Sequence, residues 1–191
     1  MQALRIISDE HQALAGILHA IHFMLKEIAA GRLEPDLKLF QAMVHYLDAY
    51  PEKRHHPKED YVFRFLPQRT SEGAEALAEL GRQHAAAPAR IAALETAVTA
   101  FVADPARLDD FIRAYDAYAD FYRNHMLLEE DVLLPLARKH LTAEDWAEID
   151  RELAAESLTP PAGEEDFAAL FSKLVACAPP PIGFGAAPYQ D

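Results

Sequence analysis

The sequence has almost no cysteine. Its 191 residues include one, Cys177, so an internal disulfide framework and any metal site built from paired cysteines are excluded. A chain of this kind suits a reducing compartment, and we expect a cytoplasmic protein. The N-terminal stretch becomes charged too early for a signal peptide, and no apolar run approaches the roughly 20 residues of a membrane span.

Basic charge is also scarce. The chain has 18 Lys and Arg against 31 Asp and Glu, a net charge of −13, and its basic residues are scattered along the sequence. Nucleic acid and membranes are therefore not expected as partners, because clustered Lys and Arg would be needed to bind nucleic acid or an anionic membrane. Glycine is limited to 7 residues while 51% of the chain is hydrophobic, which favours a sizeable helical core.

Apolar stripes with helical spacing run through residues 1–140, and histidine interrupts each of them. The stripe of the first predicted helix, Met1 to Ala30, lacks one apolar member, and His11 occupies that position. His84 interrupts the stripe of the third helix in the same way. The stripe of the fourth helix is formed by Phe111, Tyr115, Tyr118, Tyr122, His125, Glu129, Val132 and Leu136.

The second predicted helix has a break in its stripe. The apolar spacing that begins at Leu37 fails at Pro51 and resumes one residue out of phase at His55 and Glu59. A one-residue slip beside a proline predicts a kink or a bulge in the helix.

Four long amphipathic helices with short connections predict an all-α fold, an up-down-up-down antiparallel four-helix bundle. In this topology the polar interruptions converge at one end of the bundle, and we predict a metal site formed by His11, His55, Glu59, His84, His125 and Glu129. Nitrogen and oxygen donors suit iron, manganese or zinc, and carboxylates can bridge two ions. The H-x-x-x-E pairing occurs twice, in HHPKE and HMLLE, and is the most specific signal in the chain.

The sequence divides into a bundle at residues 1–141, a helical extension at 142–178 and a tail at 179–191. Thr142 caps an amphipathic helix in the extension, and a shorter helix follows around Asp166 to Ala176. The extension is expected to pack on or beside the bundle. The tail is rich in Pro and Gly and predicts an extended arm. A homodimer formed through the C-terminal helices or the tail is a further expectation.

Together these motifs resemble the hemerythrin-like, or HHE cation-binding, family. The resemblance rests on DEHQAL around His11, HHPKEDYVF from His55, GRQH at His84 and HMLLEEDVLLP from His125, and it covers roughly residues 1–140. It implies a non-haem di-iron centre whose two iron ions are bridged by two carboxylates and an oxo or hydroxo group. By this resemblance His11, His55, His84 and His125 are terminal ligands, and Glu59 and Glu129 are the bridges.

The third helix departs from the family pattern. Oxygen-carrying hemerythrins place two histidines one turn apart there, whereas here Leu80 precedes and Pro88 follows His84 at that spacing. Three alternatives stay open: an open or water-filled position on one iron, another side chain in that position, or a single metal ion. Tyr122 is either a ligand or redox neighbour, or a plain core aromatic residue. His56 lies one position off the stripe and is predicted to be exposed or to support the ligands from behind.

The expected function is metal binding, with iron engaging oxygen, nitric oxide or a peroxide in a redox, stress-response, sensing, oxygen-handling or iron-handling role. One alternative is an iron-dependent oxidase or peroxidase, or a repair protein linked to nitric oxide. Another is an interaction protein in which the metal is only structural. The sequence leaves open whether the protein is an enzyme and indicates no separate catalytic residue.

Overall fold

Helices form every regular element that the structure describes. This computed structural model describes residues 1–158 and 166–185, and it confirms the all-α prediction for them. The α-helices are α1 (Gln2–Ala29), α2 (Leu37–Tyr50), α3 (His56–Phe63), α4 (Leu66–Arg69), α5 (Ala74–Ala103), α6 (Leu108–Leu128), α7 (Leu134–His140), α8 (Ala143–Leu158) and α9 (Phe167–Cys177). Two π-helical segments, Pro51–His55 and Glu129–Leu133, and a 3₁₀ turn, Pro105–Arg107, complete the set.

Local signals in the sequence set the ends of these helices. Gly31 follows α1 with a φ of +69°, a left-handed conformation that glycine adopts at low cost, and its amide donates to the Ile28 carbonyl. The Asp36 carboxylate accepts from the amide of Leu39 at 3.0 Å and caps α2. The end of α1 and the start of α2 are therefore satisfied by the residue types that the sequence places there.

The chain forms two compact units. Of the described residues, unit 1 contains 1–13, 51–87 and 122–158, and unit 2 contains 14–50, 88–121 and 166–185. The apolar core of unit 1 includes Ile7, Val62 and Leu133, and α8 contributes Ile149 to it. The proposed division at residues 141 and 178 stays a prediction.

Unit 2 has an aromatic core. The rings of Phe40, Phe101 and Phe111 contact one another with centroids 5.3 to 6.3 Å apart. The Tyr115 hydroxyl donates to the Leu18 carbonyl at 2.5 Å, so this buried phenol is satisfied by the backbone. In the same unit, Phe167 of α9 packs its ring against the rings of Tyr46 and Tyr50.

The second π-helical segment corrects the predicted stripe of the fourth helix. Val132 is 36% exposed, so its predicted place on the apolar stripe was wrong, whereas Leu136 is half-buried and packs against the core of unit 1. Leu133, Leu134 and Ala137 are buried instead. A π turn holds one residue more than an α turn and rotates the following residues by about 100° around the axis, which moves the apolar stripe forward by one position.

Residues 179–185 of the predicted tail form turns that bond back to α9, where the Phe184 amide donates to the Val175 carbonyl at 3.0 Å. This part of the tail is not the extended arm that the sequence predicts. The remaining tail, residues 186–191, lies outside the described residues, as do residues 159–165 between α8 and α9.

Helix α5 qualifies the expectation that the chain lacks a membrane span. It has 30 residues and a mean hydropathy of 1.3 over its most apolar window, enough by length and composition to cross a membrane. Core helices of proteins without any membrane contact meet the same description, so the observation is weak. The absence of a membrane partner stays a prediction.

Candidate metal centre

The first π-helical segment shapes the metal centre. A bulge beside Pro51 was predicted from the slip in the stripe, and the segment Pro51–His55 confirms it. Two consecutive histidines, His55 at the end of this segment and His56 directly after it, are both buried. A wide π turn allows adjacent side chains to flank the same inner face, as is common at functional sites. One turn further, the Glu59 side chain is fully buried on that face.

One group of donors lies around His11 and His55. The Nε2 atom of His11 is 3.3 Å from Glu59 Oε1 and 3.1 Å from Glu129 Oε2. His55 Nε2 lies 3.0 Å from the same Glu59 oxygen. Two imidazoles and two carboxylates thus place one donor atom each within 4.8 Å of one another, and all four side chains are buried.

A second group of donors contains His56, His84, His125 and Glu59, again within 4.8 Å of one another. The rings of His56 and His84 stack with centroids 4.3 Å apart, and His56 and His125 meet edge to face at 5.4 Å. This group therefore has three imidazoles where the first has two.

Each of the two carboxylates, Glu59 and Glu129, has one oxygen near the first donor group and one near the second. Glu59 directs Oε1 at His11 and His55, while its Oε2 lies 3.8 Å from His84 Nε2. Glu129 directs Oε2 at His11 and places Oε1 3.4 Å from His125 Nε2. An oxygen on each side is the arrangement by which a carboxylate bridges two ions.

The donor atoms fit a metal better than they fit one another. The Nε2 atoms of His55, His84 and His125, Oε2 of Glu59 and both Glu129 oxygens are buried and form no hydrogen bond with any described residue. Leaving buried polar atoms in this state costs several kcal/mol. Ligands held at about 2.1 Å from one ion lie about 3 Å apart, close to the 3.0 to 3.8 Å separations found here.

Three of the imidazoles form a hydrogen bond through Nδ1 to a side chain outside the two donor groups. His11 Nδ1 donates to Glu130 at 2.8 Å, and His55 Nδ1 donates to Glu10 at 2.9 Å. His125 Nδ1 donates instead to the neutral amide oxygen of Gln83 at 3.2 Å. These bonds point Nε2 inward and fix the tautomer that a metal requires. The two imidazoles of the first group have anionic partners, whereas the partner of His125 is uncharged.

Before an ion binds, the pKa values of His11 in the first group and His125 in the second are shifted in opposite directions. Burial lowers the pKa of His11, but Glu129 and Glu59 outweigh this effect and raise it to about 10. Burial lowers the pKa of His125 to about 4, because no carboxylate compensates fully. Burial beside the Glu59 charge raises the pKa of Glu129 to about 8. Since imidazole binds metal in its neutral form, an ion would displace the proton held at His11.

The structure brings together all six side chains that the sequence singled out and adds His56. The sequence predicted that His56 is either exposed or a support for the ligands. The first alternative was wrong, since this residue is 7% exposed and belongs to the second donor group. The usable signal was the HH doublet directly after the slip at Pro51, where a bulge can turn two neighbours inward. Tyr122 is buried with its ring 5.4 Å from that of His125, and whether it is a ligand, a redox neighbour or a core aromatic residue stays open.

The family described as the hemerythrin HHE cation-binding domain matches residues 2–137, a stretch that contains all seven donor residues. No curated protein and no solved structure matches the chain.

Proposed function

The chain belongs to the hemerythrin HHE cation-binding domain family, and we propose that it holds two iron ions that engage oxygen, nitric oxide or a peroxide. One observation carries the proposal: Glu59 and Glu129 each direct one oxygen at the His11 side and the other at the second donor group. A single ion would leave carboxylate and imidazole donors buried without a partner.

The composition of the donor set supports iron. Five imidazoles and two carboxylates provide nitrogen and oxygen donors and no thiolate, a set used by iron and manganese and also accepted by zinc. Bridging carboxylates are typical of paired iron or manganese ions inside helical bundles. We further propose that α1, α2 with α3, α5, and α6 with α7 form the four antiparallel members of such a bundle.

The two ions would differ in how many protein donors they receive. The first group offers His11 and His55, whereas the second offers His56, His84 and His125. An ion beside His11 and His55 would therefore have room for a small external ligand. Bound iron would supply reversible ligand binding and one-electron chemistry. The protein holds the imidazoles through Glu10 and Glu130. Ile7, four residues before His11, and Val62, three residues after Glu59, are fully buried in the core of unit 1.

A redox, stress-response or sensing role is the biological setting that we propose, with a diatomic molecule or a peroxide as the ligand. A cytoplasmic location and self-association through the C-terminal helices belong to the same proposal. An oxidase, peroxidase or repair activity at the same centre is the alternative function.

Aerobic reconstitution with ferrous iron tests the proposal. The expected result is two iron ions per chain and an absorption band from bridged ferric iron, with both lost in Glu59→Ala and His125→Ala. Undiminished iron binding in these variants would refute the site. Turnover of peroxide or nitric oxide would select the enzyme alternative, and a metal that never exchanges ligands would select a structural role.

A further inference from the structure

A cleft of about 400 Å³ lies on unit 1, and its lining includes His84, a member of the second donor group. Its apolar wall is formed by Phe63, Leu77 and Leu80, and its polar lining includes Asp60 and His84. The volume exceeds what a hydrated ion needs and is within the range of small-molecule sites.

His84 connects the cleft to the donor groups. Its side chain is 24% exposed, whereas each of the other six donor residues is at most 7% exposed. Its Nε2 atom is nevertheless buried and belongs to the second donor group. One edge of this ring therefore meets solvent in the cleft while the opposite edge faces the place for an ion.

The charges around the cleft favour a cation. Asp60 is exposed at the lining and makes no ion pair with any described residue within 4.0 Å. Arg64, the cationic side chain of the lining, directs its guanidinium at Glu148 and Glu152, at 3.2 and 2.7 Å. Because these two carboxylates offset its charge, Asp60 leaves the local field negative, which attracts cations and raises their rate of arrival.

We propose that this cleft is the route by which a hydrated divalent metal ion reaches the centre, with Asp60 as the first carboxylate to meet it and His84 as the first ligand to bind it. The inference rests on the proposed metal centre. Carboxylate and imidazole match the donors that the ion finally acquires, so the ion exchanges water for protein ligands stepwise along the route.

Gly81 offers a way to block the cleft without damaging the fold. It lies in α5 at the cleft lining, and a Cβ atom there would meet nothing within 4 Å. Gly81→Leu therefore fills open space and also favours the helix. Gly16 is a matched control because it is a helical glycine of α1, in unit 2, that likewise has no atom within 4 Å of a built Cβ.

The test follows cobalt(II) uptake by metal-free protein in a rapid-mixing experiment, together with the final metal content per chain. We expect Gly81→Leu to take up cobalt several-fold more slowly than the parent protein and to reach the same final content, while Gly16→Leu matches the parent rate. Asp60→Asn should also slow uptake at low salt, by up to about tenfold, and the difference should fade at high salt. Asp131→Asn, an exposed acid outside the cleft lining, is the control for charge.

The possible outcomes distinguish a failure of the proposed route from a failure of the proposed metal centre. Full cobalt content reached at the parent rate in Gly81→Leu overturns the cleft while leaving the centre intact. No cobalt uptake by the parent protein overturns the centre and the cleft together. If Gly81→Leu slows azide binding to loaded protein but not cobalt uptake, the cleft admits the external ligand and the assignment to a metal ion is wrong.

Discussion

We predict that His56 is needed for the proposed second ion. It is one of three imidazoles around the second position, beside His84 and His125. We predict that His56→Ala lowers the metal content from two ions to one, because the second position then has two imidazoles, one of them partly exposed. Elemental analysis after reconstitution measures this change. His19→Ala, at an exposed position, should keep two ions. Two ions held by His56→Ala with unchanged affinity would contradict the assignment.

The acids behind His11 and His55 should strengthen metal binding at the first position. Glu130 and Glu10 accept hydrogen bonds from these imidazoles and increase their basicity. We predict that Glu130→Gln or Glu10→Gln weakens cobalt affinity by about 10-fold to 100-fold, since glutamine keeps an acceptor but loses the charge. Competition with a chelator measures the affinity.

Asp131→Asn is the matched control for this pair, because Asp131 is an exposed acid beside Glu130 that makes no contact with a donor imidazole. The proposal fails for these acids if the affinity of Asp131→Asn falls as far as that of Glu130→Gln.

At the scale of elements, the π-helical segment Glu129–Leu133 sets the direction of α7. It buries Leu133, Leu134 and Ala137 and leaves Val132 at the surface. We predict that deleting Asp131 restores α-helical phase and moves these side chains out of the core. Burial of a leucine contributes about 1.5 to 3 kcal/mol, so the free energy of unfolding should fall by about 3 kcal/mol or more. Urea unfolding measures the loss.

The substitution Asp131→Ala separates the length of the segment from its composition. It removes the same exposed side chain while keeping the extra residue, so its stability should stay within about 0.5 kcal/mol of the parent. A deletion protein as stable as this variant would show that the π turn does not hold α7 in register.

The two π-helical segments also explain what sequence reasoning could and could not find. Helical spacing located His11 and His84 because α1 and α5 run without a change of phase through those positions. Pro51 lies at the change of phase in the second stripe, so the bulge could be predicted from the sequence. No comparable residue precedes Glu129, and Pro135 follows the segment. A proline lacks the amide that closes an α-helical turn. Pro135, two residues after this segment as Pro57 is after the first, is therefore a local signal for the shift to Leu133 that the apolar spacing did not use.

At the scale of the whole molecule, all seven donor residues belong to unit 1. Metal binding should therefore stabilise this unit directly, by about 2.7 kcal/mol when free metal is at 100 times its dissociation constant. We predict that hydrogen exchange slows on metal binding in residues 1–13, 51–87 and 122–158, and changes less in residues 14–50 and 88–121. These amides open locally with free energies that depend on their own surroundings. Mass spectrometry of deuterated peptides measures the difference, and Glu59→Ala should abolish it. An equal gain in both units would mean that they open as one, and that the centre stabilises the entire chain rather than the residues around it.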